Sequence, residues 1–110
     1  MQKNERRQAR LAFRERAPRP GIYAFKAECG DVWVGRAANL DTIVNRVLFT
    51  LRHGSSPHRT LQAAWNRDGG SGITHVELEQ LDAEKLGLGL ERVLKERHRF
   101  WVEKLSASRI

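Results

Sequence analysis

Cysteine is almost missing from this sequence. Cys29 stands alone among 110 residues, so the chain can form no internal disulfide and no Cys-rich zinc site. Proline occurs only at positions 18, 20 and 57, and there is no internal repeat or low-complexity tract. No apolar run approaches the ~20 residues that crossing a bilayer needs. The start, Met1-Gln2-Lys3-Asn4-Glu5-Arg6, lacks the apolar stretch of a secretory signal. These absences predict a soluble cytoplasmic protein with no membrane partner. Acid is scarce at one end only: residues 1–19 hold seven Lys or Arg against two Glu, while residues 71–110 hold seven of each sign. The net charge of +7 is therefore concentrated in an N-terminal arm. Such an arm suits a polyanion, DNA or another nucleic acid before others, and Arg6, Arg7 and Arg10 are its candidate phosphate contacts.

What is present reads as one domain, long enough to bury roughly two thirds of its unfolded surface. Residues 4–16 have helix-forming composition but a thin apolar face, and the Pro18 and Pro20 pair ends them. The run from Gly21 to Glu28 is rich in aromatic and β-branched residues and predicts a strand. A turn at Cys29-Gly30-Asp31 and a second strand, Val32 to Gly35, complete a hairpin. Asn39 is placed to cap a helix from Leu40 to His53. Its stripe of Ile43, Val44, Val47, Leu48 and Leu51 points to the core, and Gly54 stops it. A second helix follows from Arg59 to Arg67, then a Gly-rich turn over residues 68–72. Ile73 to Leu81 is a third strand, with Thr74, Val76 and Leu78 on one face. Asp82 caps a last helical stretch. Its early turns are weakened by Gly87 and Gly89, and its firm stripe is Leu90, Val93, Leu94, Arg97, Trp101 and Leu105.

Two tripeptides, Gly21-Ile22-Tyr23 and Trp33-Val34-Gly35, sit nine residues apart on the paired strands. Asn39-Leu40, Leu61–Asn66, Val76–Glu79 and Phe100–Leu105 follow in order. This pattern resembles the GIY-YIG nuclease superfamily over roughly residues 20–105. The resemblance implies an α+β fold: a small three-stranded antiparallel sheet flanked by helices, in the order β-β-α-α-β-α. A basic arm (1–19) then precedes a GIY-YIG-like domain (20–107).

The chemistry implied by the resemblance is hydrolysis of a DNA phosphodiester with Mg²⁺ or Mn²⁺, of the kind used in DNA repair. In such a site a tyrosine handles a proton at the attacking water. An arginine steadies phosphate charge and a glutamate holds the metal, because the transition state gathers negative charge. Tyr23 matches the tyrosine. Trp33 stands where the family has a second tyrosine. It keeps an aromatic plate that either joins the core or stacks on a base, beside Gly35. Ile43 occupies the arginine position and His98 the glutamate position.

Neighbours are placed to take over both roles. Arg46 lies about 60° from the direction of Ile43 on the same helix, and Arg36 directly follows the second tripeptide. His98 offers an imidazole, and Glu96, about 200° round the helix from it, offers a carboxylate. Three functions are therefore open: a metal-dependent endonuclease with a rearranged site, a nucleic-acid-binding module that does not cut, or a protein-interaction module whose arm binds an acidic partner.

Overall fold

A computed structural model describes residues 18–110 of the protein. The helical arm expected over 4–16, with Arg6, Arg7 and Arg10, lies outside the described residues. Strand β1 (Gly21–Ala27) is central, pairing antiparallel with β2 (Val32–Ala37) on one side and β3 (Ile73–Gln80) on the other. The β1–β2 turn closes through Ala27 N–H donating to the Asp31 carbonyl at 2.8 Å, with Gly30 at a φ of 101° that side chains rarely adopt.

Helices cover both faces of the sheet, which explains why β1 is apolar and buried from Gly21 to Phe25 rather than alternating. On one face Tyr23, Phe25, Trp33 and Ala37 pack against α1 (Leu40–Arg52) and α2 (Arg59–Asp68), through Leu40, Val47, Leu51, Leu61 and Ala64. On the other face Ile22, Ala24 and Val34 meet Leu81 and Leu94, the latter on α4 (Leu90–Lys104). The helix ends follow the sequence signals. Asn39 accepts a hydrogen bond from Asp41 N–H at 3.1 Å, and α2 ends at Gly69 in the left-handed region.

Three features depart from expectation. The sheet has four strands and is mixed: Ser108–Arg109 form β4, parallel to β2, in the order β3-β1-β2-β4. Two exposed residues carry no periodicity, so the sequence offered no sign of this strand, and the fold runs past residue 107. The last helical stretch is broken. Asp82 caps a single turn, α3 (Ala83–Leu86), a 3₁₀ turn spans Gly87–Gly89, and Gly87 has a φ of 50°. Finally, β3 carries a bulge. Ile22 pairs with Glu79 and Tyr23 with Glu77, leaving Leu78 unpaired. The bulge adds Glu79 to the α4 side of the sheet, alongside Leu78.

Leu51 is fully enclosed, whereas Leu48 is only half-buried at the rim of α1. Leu51→Ala is expected to lower unfolding free energy by about 2–5 kcal/mol and Leu48→Ala by clearly less. Urea titration of both variants checks the order; equal losses would contradict the packing described.

Candidate functional site

Tyr23 and Gly35 are cross-strand partners. A Cβ on Gly35 would fall on the Tyr23 ring, so the missing side chain makes room for the phenol. The ring is 3% exposed and meets Phe25 edge-on, with centroids 6.0 Å apart. Burial pushes its phenol up to about 12. A phenol so placed stays protonated near neutral pH, where it can donate a hydrogen bond but is a poor base.

Trp33 is 2% exposed, and its indole N–H donates to the Thr60 hydroxyl on α2 at 2.8 Å. Of the two roles open to it from sequence, the structure places it in the core; stacking on a base is not open to a ring with both faces covered. Ile43 is half-buried against the same cluster, and Arg46 is exposed on α1. The face built around the first tripeptide is thus closed by packing.

Arg36 belongs to the opposite face. It lines a cleft of about 270 Å³ between β2, α4 and β4, together with Lys95, Glu96, His98, Arg99 and Arg109. Glu96, expected to face away from His98, lines the same cleft. His98 is buried, and its Nε2 lies 2.7 Å from the Val34 carbonyl. A carbonyl only accepts, so Nε2 carries the proton and donates. Burial lowers the imidazole's affinity for a second proton. The backbone bond partly opposes this, and the positive charges of Arg36 and Arg109 add to it. His98 is therefore neutral at pH 7. Below the ordinary histidine range the unfolded chain takes up a proton that the folded one refuses, so this residue favours unfolding as pH falls through about 6.5.

This donor set does not fit the metal implied by the resemblance. Mg²⁺ and Mn²⁺ prefer carboxylate and other oxygen ligands, and Glu96 is the one carboxylate in the cleft, among four cations. His98 has committed Nε2 to the backbone. Among the described residues no group of three His, Cys, Asp or Glu converges to hold an ion.

Several residues at or beside the site gave no sequence signal. Arg109 joins the cleft only because β4 folds back onto β2, and Lys95 and Arg99 only because α4 docks on the same strand through His98. Arg19, counted with the basic arm, is fixed in place: its N–H donates to Asn39 Oδ1 at 3.2 Å and its carbonyl accepts from Leu40 N–H at 2.7 Å. Its guanidinium bridges Asp41 and Glu77 at 2.5 and 2.6 Å. On the α4 side Glu79 accepts from Arg97 Nε at 2.8 Å and Trp101 Nε1 at 2.9 Å. These partners are 18 to 58 residues apart in sequence, which no local pattern reveals.

Tyr23 is the only tyrosine, so tyrosinate absorbance reports on it alone. In the folded protein the alkaline titration midpoint is expected at about 12, against about 10 in denaturant. A folded midpoint near 10 would show that the ring is open to water.

No protein-family model matches the chain, and comparison with curated proteins gives no match. Two solved structures do match. The catalytic domain of homing endonuclease I-TevI superposes with a TM-score of 0.69 at 26% identity, over 83% of this chain and 97% of that domain. A Glu→Ala mutant of the catalytic domain of intron endonuclease I-TevI gives 0.66 and 27%, over 80% and 84%. The resemblance carried by Gly21-Ile22-Tyr23 and Trp33-Val34-Gly35 extends to the three-dimensional structure, and residues 18–110 have a GIY-YIG-like fold.

Proposed function

We propose that this chain is a DNA-binding domain of GIY-YIG-like fold that does not cleave DNA. The observation that carries the reading is His98. At the position where the resemblance calls for a metal-holding glutamate, the chain has a buried neutral imidazole hydrogen-bonded to the Val34 carbonyl. The phosphate-steadying arginine is likewise replaced, by Ile43, which packs half-buried against the core. The DNA part of the reading is supported by the nuclease neighbours and by the charge of +7. A basic surface gains affinity for a polyanion by releasing its condensed counterions. Arginines such as Arg36 match phosphate oxygens through a planar fork of donors. The arm residues Arg6, Arg7 and Arg10 add sequence-independent attraction in this reading.

The test is incubation of the full chain with duplex, nicked and branched DNA, with Mg²⁺ or Mn²⁺ and with EDTA. The expected result is binding at low salt that weakens steeply as salt rises, with no metal-dependent cutting. EDTA-sensitive cleavage that disappears in Tyr23→Phe would overturn the proposal in favour of a rearranged nuclease site built on Tyr23, Arg46 or Arg36, His98 and Glu96. Absence of any DNA binding would overturn it as well.

A further inference from the structure

We propose that the cleft between β2, α4 and β4 is a phosphate-binding site, with Arg36, Lys95, Arg99 and Arg109 gripping the DNA backbone; this rests on the DNA-binding reading above and adds a site to it. The cations come from three separate elements and converge on one concavity of about 270 Å³. Arg19 lies on Asp41 and Glu77, and Arg97 on Glu79. The cations of the cleft are not held in this way, and unlike the scattered surface arginines they converge on one concavity. Among the described residues Arg36, Lys95 and Arg109 take part in no ion pair. Arg99 reaches Glu103 only at 3.9 Å, with both side chains 74% exposed, a geometry worth little in water. One carboxylate, Glu96, faces four cations.

Four cations gathered around one carboxylate repel one another, and a bound anion relieves that repulsion. The cleft's form suits a phosphodiester chain better than a single small ion. Lys95 and Arg99 stand one turn apart on α4, about 6 Å along its axis, which spans more than one phosphate of a strand rising about 3.4 Å per nucleotide. Arg36 and Arg109 come from the adjacent strands β2 and β4 and supply guanidinium forks from the opposite wall. At the floor His98 is neutral, adding no charge but standing within the influence of Arg36 and Arg109. It is therefore a built-in reporter of whatever neutralises them.

The experiment uses the full chain and a labelled duplex, with affinity measured against salt concentration. Arg36→Gln with Arg109→Gln is expected to weaken binding about tenfold and to lower the log–log salt slope by about 1–2, since each lost phosphate contact removes roughly one unit. Glu96→Gln should tighten binding, and Arg92→Gln, an exposed cation outside the cleft, should leave it within about twofold of the parent. A double variant with the parent's affinity and slope overturns the site while leaving DNA binding by the arm intact. If the parent binds no DNA at all, the DNA reading fails separately, and the site is judged by inorganic phosphate. A phosphate-dependent shift of the His98 imidazole NMR signals, lost in the double variant, upholds an anion site there. No shift overturns it.

Discussion

The Val34 carbonyl is the point on which the architecture of the site turns. It lies in β2, which in a three-stranded sheet would be an edge with unpaired backbone groups. Its two lone pairs are taken by two different elements: Nε2 of His98 at 2.7 Å and N–H of Ile110 at 3.0 Å. One bond docks the middle of α4 onto the sheet. The other starts the parallel pairing that brings Ser108 and Arg109 against Trp33 and Val34. Without the first bond a buried imidazole would be left unsatisfied, at a cost of about 1–3 kcal/mol. Without the second the β2 edge would be open and Arg109 would not join Arg36 in the cleft.

The same logic of satisfied polar groups inside apolar layers governs both faces of the sheet. Trp33 places its indole N–H on Thr60, and Trp101 places its own on Glu79, which Arg97 also holds. The bulge at Leu78 makes the second arrangement possible, because regular alternation would turn Glu79 to the other side. No buried side-chain nitrogen or oxygen among the described residues lacks a partner. In that network Tyr23 and His98 are both held in their neutral forms, one by burial of the phenol and the other by burial of the ring beside two arginines. Neutral groups donate hydrogen bonds but do not supply the charge that phosphodiester hydrolysis requires.

Much of this fold was legible from local patterns. The hairpin, the stripe of α1, its Asn39 cap and the apolar side of α4 each rest on residues within a few positions of one another, where periodicity and cap chemistry act. The strand β4, the bulge at Leu78 and the Arg19 clamp were not legible, because each exists only through partners far away in the chain. For the site the division is similar. Tyr23, Arg36, Glu96 and His98 could be singled out by their place in a motif. Whether each faced water or the core depended on which face of the sheet it met. Trp33 is the clearest case: an aromatic in a strand reads alike whether it stacks on a ligand or fills a core, and only Thr60, 27 residues away, decides it.

Position 98 shows why the identity of the site and the stability of the fold are not separable here. A glutamate in place of His98 would set a carboxylate against the Val34 carbonyl, acceptor facing acceptor, in a position 3% exposed. The Val34 carbonyl would keep the Ile110 N–H, but the carboxylate would find no donor there unless it kept its own proton, and burying it ionised and unpaired would cost several kcal/mol. An arginine at position 43 would likewise have to leave the packing that Ile43 makes with the core. Ile43 is half-buried at the margin of that cluster, so the two positions differ in what a charge would meet: packing at position 43, a backbone carbonyl at position 98. The two hydrogen bonds to the Val34 carbonyl hold this edge closed, with the cationic cleft beside it.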